Sequence, residues 1–144
     1  MNRHIQSEYP RFGEVYYMHF DGEGSVQRGW RPGMVYSNNV GNRHSPNIIA
    51  LPFTTAIKKI NQPTHVFIPG EELGQTRDSM VLCENPTCIP KDAIGDYLGT
   101  VPDVYLAQIA VASTLASCSV AFLDEEQLIT AWREAARLNS MVPA

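Results

Sequence analysis

The sequence predicts an α+β fold, mainly β, in which the strands come first and the helices follow. The first two thirds consist of short apolar runs, rich in β-branched and aromatic residues, that Gly and Pro interrupt. Helical periodicity appears only after Pro90. The 144 residues, 44% of them hydrophobic, suffice for one domain with a core that needs no disulfides. Five short strands within about 85 residues favour a small, highly curved sheet or barrel.

The five predicted strands have the apolar or alternating character of half-buried β-structure. They cover 14–20, 33–37, 47–51, 64–68 and 79–83. Turn residues follow the first three of them: Asp21-Gly22-Glu23-Gly24, Asn38-Asn39 and Pro52. Since the connections are short, we expect the strands to form one compact sheet.

The first helix is predicted from Pro102 to about Leu115, because Pro suits a first helical turn and Asp103 faces the positive end of the helix dipole. Residues 104–123 carry no charge, and 20 residues can span a bilayer. However, this stretch contains Gln, Ser and Thr, and no Lys or Arg flanks it. A buried helix of a soluble domain is the preferred interpretation.

A second helix is predicted from Asp124 to Leu138. Asp124 and Gln127 have the spacing of a capping box. Leu128, Trp132 and Ala135 fall on one helical face. The preferred role for this tail is packing against the domain; extending a dimer, or occupying a peptide groove through Trp132, are alternatives.

The charge distribution is uneven along the chain. The net charge of -4 argues against binding nucleic acid through overall positive charge. Yet no Asp or Glu occurs between Glu23 and Glu71, a stretch that contains Arg28, Arg31, Arg43, Lys58 and Lys59. This basic segment is interpreted as an anion-binding face, with a chance gap in the acids as the alternative.

The cysteines and histidines indicate neither a disulfide framework nor a metal site. Three cysteines leave one unpaired, no C-x-x-C occurs, and the four histidines are scattered. Residues 1–8 show no secretory signal. We therefore expect buried free thiols, no cofactor and a cytoplasmic location.

Two polar clusters in the acid-free stretch carry the chemistry. Residues 24–32 form a Gly-containing loop with Arg28 and Arg31, and residues 42–46 read Asn-Arg-His-Ser-Pro. Arginine binds phosphate bidentately, and hydroxyls and backbone N–H groups can complete such a site. A nucleoside triphosphate P-loop is excluded, because its Gly-x4-Gly-Lys-Ser/Thr motif is missing. These residues predict a phosphate site and no particular reaction.

The order of the motifs resembles the MazF/PemK family of toxin endoribonucleases, also called mRNA interferases. Gly24-Ser25-x-Gln27-x-Gly29-x-Arg31-Pro32 follows a Glu14-Val15-Tyr16 strand. Further matches lie downstream: Ser37-Asn38, Val40-Gly41-Asn42-Arg43, Ser45-Pro46, Thr54, Pro63-Thr64-His65-Val66, Arg77-Asp78-Ser79, Leu82 and Glu84. The similarity extends from about Phe12 to about Leu115 without an evident gap.

This resemblance implies a small SH3-like β-barrel of the MazF/CcdB type with a C-terminal helix, assembled as a homodimer. Residues 1–122 would form that domain, and residues 123–144 an extra helical tail in the same compact unit. The implied activity is that of a type II toxin: sequence-specific cleavage of single-stranded RNA without a metal, leaving a 2′,3′-cyclic phosphate and a 5′-hydroxyl. DNA would not be a substrate, and a cognate antitoxin peptide would block the site.

The family's catalytic residues fall on Arg31 and Thr54. The implied RNA-binding residues are Ser25, Gln27, Arg28, Asn38, Asn42, Arg43, His44, Ser45, Thr55, Glu84 and Asn85. His44 is also a hypothetical general base, although a solvated or base-stacking role is the simpler interpretation. The structural alternatives are a salt bridge from Arg31 to Asp21 or Glu23, and a turn or helix cap for Thr54.

The sequence departs from the family pattern at two places. Val26 stands where members commonly carry an acid, and residues 85–88 read Asn-Pro-Thr-Cys where Gln-Ile-Arg-Thr is usual. A weak or inactive enzyme that serves as a binding module for RNA or an antitoxin-type peptide is therefore a second hypothesis. A CcdB-type gyrase poison is disfavoured, because those toxins act through a C-terminal Trp-Gly-Ile and residues 140–144 read Ser-Met-Val-Pro-Ala.

Overall fold

A computed structural model describes residues 8–22, 28–57 and 62–141. The strands in this part of the chain are β1 (Glu14–Asp21), β2 (Arg28–Val35), β3 (Asn47–Thr54), β4 (His65–Ile68), β5 (Ser79–Leu82), β6 (Thr87–Pro90) and β7 (Ile94–Thr100). The α-helices are α1 (Asn39–His44), α2 (Asp103–Ser117) and α3 (Glu125–Met141). Short 3-10 turns cover Gly70–Leu73, Lys91–Ala93 and Ser119–Phe122.

The strands form one antiparallel sheet in the order β4-β5-β3-β2-β1-β7, with β6 also paired to β3. β3 is the strand on which the sheet turns, because its first half pairs with β6 and its last residues pair with β5. Among the described residues no pairing joins β4 to β7, so the sheet is not closed. The barrel expected from the sequence is therefore an open, bent sheet.

Two hydrophobic clusters fill the two faces of this sheet. Alternation along β1 divides its side chains between them: Tyr16, Met18 and Phe20 enter one cluster, while Val15 enters the other. Gly33 keeps β2 close to the first cluster, because a Cβ there would lie 2.9 Å from Cζ of Phe20.

The first predicted helix is confirmed as α2, which begins directly after Pro102. Only one side of it is buried, through Ile109, Ala112 and Ser113. Val111 on the other side is 63% exposed, so the expectation of a buried helix was too strong. No helix in the described ranges is long and apolar enough to cross a membrane.

The second helix and its capping box are also confirmed. The Asp124 backbone N–H donates to Oε1 of Gln127 at 3.1 Å, and the Gln127 N–H donates back to Oδ1 of Asp124 at 2.8 Å. The expectation that this tail packs against the domain was wrong for most of its length, since residues 124–137 are exposed. α3 contacts α1 near its C-terminal end, where the Asn39 N–H donates to Oδ1 of Asn139 at 3.2 Å.

The structure corrects two further expectations. The sequence did not predict β6 and β7. In β7, two glycines and an aspartate mask the strand pattern. Of the three free cysteines only Cys83 is buried, and burial raises the pKa of its thiol to about 11. Cys88 and Cys118 are exposed, so the prediction of buried thiols holds for Cys83 alone.

Candidate active site

Arg31 and Thr54 lie on neighbouring strands at the same end of the sheet. β2 and β3 are antiparallel, with Gly33 opposite Pro52. The β2–β3 pairing ends at this pair, and Arg31 and Thr54 lie two residues beyond it on the two strands. Two residues from separate motifs of the sequence are thus brought to the same end of the β2–β3 pair.

The Arg31 side chain is oriented by backbone carbonyls. Its Nη2 donates to the carbonyl of Arg28 at 3.1 Å, and its Nη1 donates to the carbonyl of Phe53 at 3.4 Å. One carbonyl lies at the start of β2 and the other next to Thr54, so the guanidinium bridges the two strands. A planar group held on two fixed acceptors is preorganised for a charged ligand.

Thr54 forms a turn at the end of β3. Its Oγ1 accepts a hydrogen bond from the Ala56 backbone N–H at 3.2 Å. The turn-capping alternative is therefore correct, but it does not conflict with a functional role. A hydroxyl that accepts one hydrogen bond still has its own O–H to donate.

Arg31 and Thr54 border the same cavity, which has a volume of about 300 Å³. Its lining residues are Trp30, Arg31, Pro32, Phe53, Thr54, Thr55, Ala56 and Ser79. None of these residues is acidic, as expected for an anion site. A neighbouring cavity of about 130 Å³ shares Pro32, Phe53, Thr55 and Ser79 with it and adds Arg77.

Sequence reasoning did not include Trp30, Arg77 and Ser79 among the site residues. Arg77 and Ser79 belong to a matched motif, whereas Trp30 stands at an unspecified position of another; the fold places Ser79 in both cavities, Trp30 in the larger and Arg77 in the smaller. The Arg77–Ser79 segment is fixed by Asp78, whose Oδ1 accepts from the Gly70 N–H at 2.9 Å. Gly70 is required there, since a Cβ would lie 2.6 Å from the carbonyl oxygen of Arg77.

The second polar cluster lies elsewhere. Arg43, His44 and Ser45 precede β3, whereas Thr54 ends it. At roughly 3.3 Å per residue an eight-residue strand spans about 23 Å. Within one chain His44 thus lies at the end of β3 opposite to Thr54, which favours the solvated or base-stacking role over that of a general base.

Three asparagines, Asn38, Asn39 and Asn42, stabilise helix α1. Asn38 caps the helix, with its Oδ1 accepting from the Gly41 N–H at 2.9 Å. Asn42 is fully buried, and its Nδ2 donates to the carbonyl of Ser37 at 2.8 Å and to Oδ1 of Asn39 at 3.2 Å. The Ser37 hydroxyl donates to Oδ1 of Asn42. These bonds give Asn42 a structural role instead of a surface for RNA.

Replacing Asn42 should therefore destabilise the fold. Asn42→Ala leaves the buried partners of the amide unsatisfied, and we expect the free energy of unfolding to fall by about 1–3 kcal/mol. Urea denaturation followed by circular dichroism measures the change. Asn47→Ala, at an exposed position, is the control and should stay within about 0.5 kcal/mol of the parent. An Asn42 variant as stable as this control would contradict the structural role.

The remaining predicted residues lie in three places. Glu84 and Asn85 lie in the turn between β5 and β6, and Oε1 of Glu84 is 2.7 Å from Nε2 of His65. Arg28 and Thr55 lie beside Arg31. The carbonyl of Arg28 accepts a hydrogen bond from Arg31, and Thr55 lines the 300 Å³ cavity. Ser25 and Gln27, with Glu23 and Val26, lie outside the described residues. Among the described side chains, no group of three or more His, Cys, Asp or Glu is placed to hold a metal ion.

The fold and this site define a class: a small β-sheet protein with an arginine and hydroxyl site suited to a phosphodiester. Comparison with known proteins identifies the family. Residues 11–116 match the PemK-like, MazF-like toxins of type II toxin–antitoxin systems, and the chain belongs to this family.

Similar proteins support the assignment. Endoribonuclease EndoA of Bacillus subtilis is 34% identical over 113 residues, which are 78% of this chain and 95% of that protein. Endoribonuclease MazF of Staphylococcus saprophyticus is 31% identical over 100 residues, covering 69% of this chain and 83% of the relative. The structure resembles a mycobacterial endoribonuclease in complex with its cognate antitoxin, with a TM-score of 0.64, 28% identity, and coverage of 76% of this chain and 96% of that one. α3 lies beyond the family match.

Proposed function

We propose that this protein is a type II toxin that cleaves single-stranded RNA with Arg31 and Thr54 and without a metal. The observation that carries the proposal is that these two residues border one cavity, whose lining among the described residues contains no acid. The names of its relatives support an endoribonuclease activity. We further propose a homodimer that acts on mRNA in the bacterial cytoplasm and is inhibited by a cognate antitoxin, as the antitoxin-bound mycobacterial structure suggests.

The proposed reaction is an internal transesterification of the RNA. The 2′-oxygen attacks the adjacent phosphorus and gives its proton to water, while the bond from phosphorus to the 5′-oxygen breaks and the 5′-oxygen takes up a proton from water. The products are a 2′,3′-cyclic phosphate and a 5′-hydroxyl. Because the nucleophile is the RNA's own 2′-hydroxyl, DNA cannot be a substrate.

The two residues act where charge develops. Negative charge grows on the phosphate oxygens, and a preoriented guanidinium stabilises it more effectively than mobile water does. A guanidinium donates hydrogen bonds and accepts none, so we assign Arg31 to the oxyanion and to a hydrogen bond to the leaving 5′-oxygen. The Thr54 O–H donates to a second phosphate oxygen.

His44 provides a test of this assignment. Since His44 lies at the other end of β3, we expect His44→Ala to leave the acid limb of the pH–rate profile unchanged. The profile is measured with a fixed RNA at saturating and at low concentration. A flattened acid limb would show instead that His44 of a second copy reaches the phosphate.

The function itself is tested by incubating the purified protein with a mixed-sequence RNA in EDTA. We expect discrete cuts whose flanking sequences define a short recognition motif, and no loss of rate relative to buffer with Mg²⁺. Bound but uncut RNA, even at high protein concentration, would favour the binding-module hypothesis that the changes at 26 and 85–88 raise.

A further inference from the structure

An exposed aromatic group lies on the outer face of the β1–β2 pair. It consists of Tyr17, His19 and Trp30, and we call it the aromatic platform. Tyr17 and Trp30 are 42% and 41% exposed, although large aromatic side chains are usually well buried in a domain of this size. None of the residues that the family resemblance assigns to catalysis or RNA binding belongs to the platform.

The platform is held in a fixed geometry. The rings of Tyr17 and Trp30 are stacked, with centroids 6.0 Å apart and planes 9° apart. His19, directly opposite Trp30 across the strands, meets the indole edge-on at 5.4 Å. Gly95 of β7 leaves room beneath them, because a Cβ there would lie 3.4 Å from Cζ3 of Trp30. A preordered indole loses little conformational entropy when a planar ligand stacks on it.

The platform adjoins the proposed active site. Trp30 immediately precedes Arg31, and both residues border the 300 Å³ cavity. Consecutive strand side chains point to opposite faces, so the indole and the guanidinium flank the end of β2 from its two sides. Because both residues border the same cavity, an RNA strand whose phosphate lies at Arg31 can place the adjacent base on Trp30.

We propose that the aromatic platform binds a nucleobase of the RNA next to the cleaved phosphodiester, by stacking on Trp30. This inference rests on the proposed function and extends it to a base-binding position. Single-stranded nucleic acids are commonly bound by aromatic stacking beside a positively charged backbone site, and stacking is tolerant of base identity. The platform thus adds affinity and sets the register of the strand, while sequence choice is made by other contacts.

Kinetics test the proposal with substitutions at Trp30. Trp30→Ala should raise KM for a defined RNA by about 10- to 100-fold with little change in kcat, because it removes binding that the ground state and transition state share. Trp30→Phe, which keeps a smaller aromatic face, should recover part of the affinity. Trp132→Ala, at the 71% exposed tryptophan of α3, is the matched control and should cut RNA normally.

Fluorescence tests stacking independently of cleavage. The chain has two tryptophans, so Trp132→Phe leaves Trp30 as the single indole and Trp30→Phe leaves Trp132. The probe is a mixed-sequence RNA oligomer methylated at every 2′-oxygen, which cannot be cut. We expect saturable quenching of Trp30 in the first variant and none of Trp132 in the second.

The outcomes distinguish a failure of the stacking proposal from a failure of the proposed function. If the Trp132→Phe protein cuts ordinary RNA but its Trp30 emission does not respond to the probe, the platform proposal is overturned and the proposed function stands. Equal KM values for wild type and Trp30→Ala would overturn it too, and would leave a protein partner as the occupant of this surface. Quenching in a protein that never cuts RNA would support the stacking and remove the catalytic claim.

Discussion

Arg31→Ala should lower the rate of RNA cleavage by about 100- to 1,000-fold, and Thr54→Ala by a comparable factor. Each substitution removes a preoriented donor from the oxygens on which negative charge develops. The carbonyls of Arg28 and Phe53 orient the Arg31 guanidinium, and the substitution removes this oriented group. Single-turnover cleavage of a defined RNA at saturating protein measures the loss in the chemical step.

Two matched controls show whether such losses are local. Arg133→Ala and Thr130→Ala remove the same residue types from exposed positions on α3, and both should keep the parental rate. The thermal midpoint of all four variants should be compared, because Thr54 also caps the turn after β3. An Arg31→Ala protein that is folded and cuts at the parental rate would remove Arg31 from the mechanism. The double variant should lose less than the product of the two factors, since both donors act on one phosphate.

Replacing a single 2′-hydroxyl of the RNA with hydrogen, at the nucleotide on the 5′ side of the cleaved bond, should abolish cutting. The proposed reaction has no other nucleophile, so the expected loss exceeds that of either protein variant. Binding should change little, because Arg31 and Thr54 contact phosphate oxygens in the proposed complex. Cleavage is followed on gels, and affinity by competition with the unmodified RNA.

The position of the modification provides the control. A 2′-deoxy nucleotide placed one position further along should leave cutting at the original bond intact. Cleavage of the first oligomer at its normal position would mean that water or a side chain attacks the phosphorus. That result would contradict transesterification while leaving the location of the site untouched.

The elements that the sequence predicted well are those with strong local signals. The capping box of Asp124 and Gln127 places the start of α3, and Pro102 places that of α2. β7 lacked such a signal, since its residues gain their strand geometry from pairing with β1. The open sheet was likewise not evident, because whether the end strands meet is decided by non-local pairing.

In the candidate site, likewise, the residues could be predicted from the sequence but their arrangement in space could not. Arg31 and Thr54 were found through a family resemblance, whereas their place on one cavity depends on the pairing of β2 with β3, which no local pattern encodes. For His44 and Asn42 the motif indicated residue type and not place in the fold, and His44 lies at the end of β3 opposite to Thr54. Asn42 is polar but fully buried, and its motif position alone could not distinguish a ligand contact from a structural hydrogen bond.

The chemistry of the RNA ends tests the central claim most directly. An end-labelled RNA is cut in EDTA by wild type and by Arg31→Ala, and the new ends are probed with polynucleotide kinase. We expect 5′-hydroxyl ends that accept phosphate directly, 3′ ends that carry a 2′,3′-cyclic phosphate, and neither product with Arg31→Ala. New ends that carry a 5′-phosphate, or cutting that persists in Arg31→Ala, would contradict it.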